Sequence, residues 1–445
     1  MDGVSGELPA CAGGGAGCLK ERMRFSVTGV ARLIVVTTMV AGVSERVRGS
    51  EAGFDRLAEA LTVSSGDSRL RARLSGTLDL EGYAFSHPAP ALLDATGETL
   101  FNPRLSVFLD VQAGRSVYAF AQMRVDRGFD PGPRTLRGRL DEYALRVTPW
   151  EDGRLSVQVG KFGTIVGNWV PRHGSWENPF VTAPLPYEQL TGIWDNGAPD
   201  SLSELREWAH VSPRSPHGGR VFDKPLRLPL LWGPSYTTGV TVSGQWGRFT
   251  YAAELKDASL SSRPRVWNRG EFEFRHPTTS VRLGYRPNAM WNLGVSASGG
   301  SYMRTDIPVA LAAGKGRSDY RQYVVAQDVS FAWHHVQVWA EVFAGRFEVP
   351  GIGDAELVSY YVEGKYKFTP RFFAAVRWNE QLYGKIAEGV GARWRWGANT
   401  RRMDLGPVFR FSPHTQLKLQ YSVQHDEVAE RAWTQWVAGQ WVVRF

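Results

Sequence analysis

Cysteine is all but missing: the 445 residues hold 2, and both stand before residue 20. A disulfide framework and a cysteine-based zinc site are thereby excluded for the body of the chain. Long apolar runs are missing too. A bilayer helix needs roughly 20 predominantly apolar residues, and their absence excludes a bundle of membrane helices. A hydrophobic share of 43% is equally unlike a disordered polar chain. No GxSxG, HExxH or P-loop motif occurs. His173, His210 and His217 share one segment and His334 and His335 another, with no carboxylate at ligand spacing, so no metal or other cofactor is expected. No Ser–His–carboxylate set stands out, and the chain is read as not an enzyme. The formal charge is +8, yet the basic residues are spread along the chain rather than gathered into a nucleic-acid patch.

What is abundant is glycine, at 48, and aromatic residues, at 17 Trp, 15 Tyr and 22 Phe. Length alone fits roughly two or three soluble domains or one large all-β body. Periodicity chooses between them.

Residues 1–22 carry no periodicity and read as a mis-assigned start or a non-structural extension. From Met23, a basic start with Arg24 and Arg32 leads to an apolar stretch from Leu33 to Val43, then to small residues at Ser44, Gly49 and Ser50. That order describes a secretory signal over 23–50, too short to span a bilayer. Cleavage near Gly42 and cleavage near Gly49 both fit. Loss of residues 1–50 removes 6 Lys+Arg and 4 Asp+Glu, leaving no cysteine and a net charge of +6. Residues 51–68 are then a short periplasmic segment, with an amphipathic helix expected from Phe54 to Leu61.

Over 69–445 the dominant period is two, the spacing of a half-buried strand. Val358, Tyr360, Val362, Gly364, Tyr366 and Phe368 alternate with Ser359, Tyr361, Glu363, Lys365 and Lys367. Leu417, Leu419, Tyr421 and Val423 alternate with Gln416, Lys418, Gln420, Ser422 and Gln424. Sixteen such segments fall at 69–85, 101–113, 115–126, 137–149, 154–166, 234–246, 248–258, 270–287, 290–303, 318–333, 335–348, 355–368, 371–384, 399–411, 415–425 and 432–445. Tight turns alternate with longer connections at 86–100, 127–136, 167–233, 259–269, 304–317, 349–354, 385–398 and 426–431. A soluble sandwich has no reason for that alternation. An outer-membrane barrel has short periplasmic turns and long external loops. Lipid offers no hydrogen bonds, so every strand edge must be paired, and closure achieves it. The expected fold is all-β, a transmembrane antiparallel β-barrel of about 16 strands with a long third external loop.

Phe445 ends the chain, preceded at the same parity by Val443 and Trp441. Here the sequence resembles Gram-negative outer-membrane barrels, whose final strand ends in an aromatic residue read by the barrel assembly machinery. The resemblance makes Trp441, Val443 and Phe445 an assembly signal. Trp150, Trp246, Trp291, Trp333, Phe368, Phe372, Phe411 and Trp441 cluster at turn level, where a periplasmic aromatic girdle belongs. Gly160, Lys161 and Phe162, at a strand end before a long loop, resemble porins, general or phosphate-selective, without picking out one family. The resemblance implies that the inserted loop 167–233 folds inward and narrows the pore; an external lid is the other reading.

That loop carries 6 Lys+Arg and 7 Asp+Glu, so it is nearly neutral. Ser201 and Glu204 have the spacing of a capping box, which predicts a helical turn or two through Leu205 to Trp208. Parity directs thirteen basic and nine acidic side chains into the lumen. Arg124, Arg146, Lys365 and Arg377, read as near mid-strand, are the candidate pore-lining residues. The function expected is a porin: a passive diffusion channel for small hydrophilic solutes with weak anion preference. The alternative is a non-conducting, glycan-binding or exporting barrel plugged by the long loop. Expected partners are outer-membrane lipid, the barrel assembly machinery, small hydrophilic solutes and, as one mode of assembly, a homotrimer, with no nucleic acid among them. The expected location is the cell outer membrane.

Overall fold

The computed structural model describes residues 51–445, apart from 67–68, 87–88, 94, 96, 128–135, 211–223, 225–226, 268–273, 275–276, 304–310, 312, 389–390 and 428–432. The non-structural extension and the signal expected over 1–50 lie outside the described residues.

Period-two alternation becomes a ladder of long antiparallel strands. They are β1 (Leu70–Phe85), β2 (Thr99–Ala113), β3 (Val117–Asp126), β4 (Arg137–Val147), β5 (Ser156–Phe162), β6 (Thr237–Trp246), β7 (Phe249–Lys256) and β8 (Thr278–Tyr285). The second half is β9 (Trp291–Ser301), β10 (Arg321–Trp333), β11 (Val336–Val349), β12 (Gly353–Lys367), β13 (Phe372–Tyr383), β14 (Thr400–Arg410), β15 (Thr415–Asp426) and β16 (Trp433–Arg444). Each pairs with the next in chain order, and β16 pairs back on β1, with Leu80 opposite Trp441. The sheet therefore closes as a barrel of sixteen strands, and no edge is left for lipid to meet.

The two faces separate as the pleat demands. Val325, Leu283, Val362 and Leu145 point outward and are exposed, whereas Ser359, Glu363, Asn379 and Gln420 point inward and are buried. At the short-turn end the outward rings form a belt. Successive contacts run through Phe249–Tyr285, Trp291–Phe331, Tyr366–Phe368, Phe368–Phe372, Phe409–Phe411 and Phe411–Trp441. Amphipathic rings favour the interface between lipid and water, which explains the clustering.

Before the barrel lies helix α1 (Glu51–Ala60), where a short helix was expected, and Thr62–Ser64, which pairs with the first residues of β1. Among the described residues no helix is long and apolar enough to cross a membrane. Three local expectations need correction. β5 ends at Phe162 rather than 166, because Gly163 onward turns into the lumen. The connection between β11 and β12 is only 350–352, because both strands run on to Val349 and Gly353. On β4 the pairing with β3 shifts at Gln122/Met123, a bulge that brings Asp141 inward beside Glu142.

Candidate functional site

The chain leaves the sheet at Phe162 and rejoins it at Thr237. Between them it travels round the inside of the barrel, and the wall side chains mark its path. On β7, Glu254 accepts the Thr164 hydroxyl at 2.6 Å and the Ile165 N–H at 3.2 Å. On β11, Glu341 accepts the N–H groups of Asn168 and Trp169 and the Tyr187 hydroxyl, the last at 2.8 Å. On β12, Glu363 pairs with Arg172 at 2.6 Å, and the same guanidinium donates to the Tyr361 hydroxyl at 2.8 Å.

Farther round, the wall changes sign. Arg377 on β13 donates to the carbonyls of Thr182 at 3.1 Å and Ala183 at 3.2 Å. Lys418 on β15 donates to the carbonyls of Asn178 at 3.1 Å and Phe180 at 3.2 Å. Arg402 on β14 meets Glu188 at 2.5 Å. The wall thus presents carboxylates where the loop exposes N–H groups and cations where it exposes carbonyls. Charges buried in this way keep their bonds, so their removal from water is compensated.

The loop packs its own core as it goes. A short helix, α2 (Leu185–Glu188), and a second one, α3 (Leu202–His210), sit on either side of Leu190–Trp194, which pairs with Arg227–Pro229. Ser201 caps α3 by accepting the Glu204 N–H at 3.2 Å, and the Glu204 carboxylate accepts the Asp200 N–H at 2.6 Å. Tyr187, Leu205, Leu230, Leu231 and Trp232 are buried together with Phe343 and Phe347 of the wall. Gly345 makes room for this contact: a β-carbon there would fall 2.3 Å from the Leu230 side chain.

Burial dominates loop titration. It holds the His173 imidazole down at about 4, although the Val170 carbonyl partly opposes the shift. His173 bonds Val170 through Nδ1 and Tyr236 through Nε2. Since a carbonyl only accepts, Nδ1 carries the proton and Nε2 accepts from the Tyr236 hydroxyl. Burial pushes the carboxyls of Glu188 and Asp195 up, with Arg402 and Arg263 pulling against it.

The loop touches β7 and β9–β16, and Val181 packs on the cluster of Tyr83, Phe85 and Trp436 that joins β1 to β16, while the lumen side chains of β1–β4 mostly pair with one another. Arg104 meets Asp79 at 3.0 Å and also pairs with Glu81. Arg124 meets Asp141 at 2.7 Å, and Arg139 meets Asp126 at 2.8 Å and Asp141 at 2.7 Å. Three cations and four carboxylates interlock there, so this wall is charged but internally neutralised. Toward the short turns, Asp110, Tyr118, Phe120 and Arg146 remain partly open.

The four candidate pore-lining residues therefore stand in different settings. Arg124 is buried in the interlocked wall. Arg146 is exposed and donates twice to Gln158, at 2.9 and 2.7 Å. Lys365 lies 4.4 Å from the Phe373 ring centre. Arg377 is wholly buried beneath the loop, meeting Asp404 at 2.9 Å. The mid-strand reading needs correction for two of them: Arg146 is next to last on β4, and Lys365 lies close to the end of β12, because both strands stop where the short turns begin. At the closing seam, Trp441 packs on Phe411 with ring centres 5.0 Å apart; Val443 and Phe445 follow at the same parity and are partly exposed.

No family model matches the chain, and no curated protein matches its sequence. Solved structures do match its shape. DcaP, an outer membrane channel of Acinetobacter baumannii, aligns with a TM-score of 0.52 at 10% identity, covering 86% of this chain and 99% of that one. OmpT, an outer membrane protein of Vibrio cholerae, aligns at 0.51 with 9% identity over 86% of this chain and 99% of its own. Salmonella typhi OmpF, solved with daunomycin, aligns at 0.50 with 10% identity over 86% and 100%. The chain has the porin-type outer-membrane barrel fold.

Sequence reasoning missed Arg172, Arg402, Asp404 and the Arg139–Asp141 pair. Arg402 and Asp404 do have the lumen parity of β14, a signal that was available. The bulge on β4 resets the alternation, so parity counted from Arg146 puts Asp141 on the wrong face. Arg172 gains its partners only from contacts across 189 and 191 residues, which no local pattern reveals.

Proposed function

We propose that this protein is an outer-membrane diffusion channel for small hydrophilic solutes, with its inserted loop setting the width of the pore. One observation carries the reading: a closed barrel with a polar lumen holds a long loop inside it, fixed to the wall through Glu254, Glu341, Glu363, Arg377 and Lys418. A fixed obstacle of this kind narrows a lumen without closing it when solute passes along the side chains that remain open, such as Asp110, Tyr118 and Arg146. In this reading the cationic surplus of the lumen favours anions weakly, through Arg146 and Lys365 more than through the neutralised Arg124 and the covered Arg377. Residues 1–50 supply export, Trp441, Val443 and Phe445 direct assembly, and a homotrimer is the proposed assembly.

The depth of loop burial also favours a plugged barrel with a binding or export role. Conductance of purified protein in planar bilayers separates the two. Stepwise openings that grow when residues 197–224 are removed support the channel. A silent barrel that conducts only after that removal supports the plug. Reversal potential in a salt gradient reads the charge preference, and cation preference in the unmodified protein rejects it.

A further inference from the structure

At the short-turn end the inner wall changes character from β12 round to β1. Lys365 and Lys367 on β12, Arg410 on β14, Arg444 on β16 and Arg73 on β1 all hold lumen-facing positions. None of these five forms an ion pair among the described residues. Elsewhere on the wall Arg104, Arg124, Arg139, Arg282 and Arg402 each meet a carboxylate at 3.0 Å or closer, whereas Arg146 donates to Gln158 and Lys256 and Lys418 donate to backbone carbonyls, each standing apart from the others rather than in a cluster.

The arc has neutral contacts instead. Arg410 Nε donates to Gln416 Oε1 at 3.2 Å, and Arg444 Nε donates to the Pro413 carbonyl at 2.7 Å. Two rings support the charged groups. Trp176, at the turn of the inserted loop, has its ring centre 4.0 Å from the Arg444 guanidinium and 5.1 Å from that of Arg410. The Phe373 ring centre lies 4.4 Å from the Lys365 ammonium and 5.3 Å from Arg410. Such contacts position a cation without neutralising it. The carboxylates nearest the arc are Glu177, beside Trp176; Glu363, two residues from Lys365 and engaged by Arg172 and Arg377; and Asp110, the cross-strand neighbour of Arg73, which accepts the Tyr118 hydroxyl.

Like charges gathered in this way repel, and Glu177, Glu363 and Asp110 offset that repulsion from nearby without forming an ion pair with any of the five among the described residues. Arg444 lies within electrostatic reach of Glu177, Arg410 and Arg73, and Lys365 within reach of Arg410, Glu363 and Lys367, so cations outnumber carboxylates around both. An anion would relieve the repulsion, and guanidinium edges left without carboxylates can take its oxygens in pairs. The spacing selects the kind of anion. Neighbouring strands stand about 4.8 Å apart, so the wall from β12 to β1 extends on the order of 25 Å. A small single anion touches one or two of these cations. A solute with several separated anionic groups reaches most of them.

We propose that this arc is a binding station for elongated solutes carrying several carboxylate or phosphate groups, at the short-turn mouth of the lumen. The proposal rests on the channel reading and specifies what that channel gathers. Three probes distinguish the sources: trigalacturonate for carboxylates, tripolyphosphate for phosphates, and acetate as the single-charge control. In planar bilayers at 0.15 M salt, where screening acts over about 8 Å, each is added to one side and then the other. A multivalent probe should block current at lower concentration from one side than from the other, and at lower concentration than acetate. The double variant Arg410→Gln/Arg444→Gln should raise the half-blocking concentration about tenfold, a change worth about 1.4 kcal/mol. Equal block from both sides, or block unchanged in the variant, overturns the proposal.

Calorimetric binding of the same probes to the folded protein in detergent reads the arc without conduction. Binding that is lost in the double variant supports the arc even if the barrel is silent, in which case only the channel reading fails. Open channels with no multivalent binding in detergent overturn the arc and leave the channel. If the double variant does not fold, Lys367→Gln, at an exposed position, should still weaken binding several-fold, and unchanged binding there rejects the proposal.

Discussion

Phe445 and Gly76 exchange both of their backbone hydrogen bonds, each at 3.0 Å. A β-carbon at Gly76 would fall 2.5 Å from the Phe445 ring and 2.8 Å from the Ser106 carbonyl. The first strand thus lacks a side chain where the last residue needs room. Closure of the barrel depends on this seam, because an unpaired edge in lipid leaves backbone groups without partners.

Gly76→Val should therefore reduce the fraction of heat-modifiable, folded barrel in the membrane. Phe445→Leu in the same chain should recover part of it, since the ring tip is gone but the Ser106 carbonyl remains. Deletion of Phe445 alone should also lower assembly if the final strand is the assembly signal. Gly76→Val that assembles as well as the parent would show that the seam tolerates a side chain and that closure does not hinge on this contact.

Arg377 is the second test, because it sits between Asp404 at 2.9 Å and Glu363 at 3.6 Å and also holds two loop carbonyls. Removing one member of a buried pair strands the other charge, at about 3–5 kcal/mol. Arg377→Gln should lower the unfolding temperature and loosen the loop, seen as noisier and larger conductance. Arg377→Lys should restore only part, since an ammonium cannot reproduce the fork of the guanidinium. A neutral Arg377→Gln would place the loop anchor elsewhere.

The barrel was legible because its signal repeats locally. Val358 to Phe368 alternate cleanly, and the structure keeps that alternation on β12 with Val362 outward and Glu363 inward. The loop's seat was not legible, since Glu341 meets Asn168 and Arg172 meets Glu363 only after the chain has closed on itself. Parity told which side chains face the lumen, but not which of those remain wet. Gln420 shows the difference: its amide bonds Thr182 at 2.8 Å and Asp404 at 3.3 Å beneath the loop. An arginine at Gln420 or at the buried Ser359 would collide with that packing, although parity alone predicts tolerance.

The parity test needs residues chosen accordingly. Leu419→Arg and Val362→Arg put a charge on the outward face and should each cost roughly 2–4 kcal/mol near the midplane. Ser243→Arg points into the lumen beside Ser156 and Ala252, where small neighbours leave space, and should cost much less. Denaturant titration in vesicles gives the ranking. Equal losses at Val362 and Ser243 would contradict the assignment of faces.

The last prediction concerns acid. His173 is neutral in the fold, held down at about 4, while an unfolded histidine titrates near 6.5. The unfolded chain therefore binds the extra proton first as pH falls. The stability that neutral His173 contributes is full above about 6.5 and is lost progressively toward about 4. A proton on Nε2 would also remove the acceptor that takes the Tyr236 hydroxyl, in a site that already contains Arg124 nearby. Glu188 and Asp195 act in the opposite sense, because carboxyls pushed up by burial make the fold bind protons more readily as pH falls. The whole-protein profile mixes these signs, so the difference between parent and variant is what isolates the histidine. His173→Gln keeps an amide able to bond Val170 and Tyr236 but cannot charge. Between pH 6.5 and 4 the parent should lose unfolding temperature relative to the variant, and the two profiles should run parallel above pH 7. A constant offset across the whole range would mean that His173 contributes packing alone.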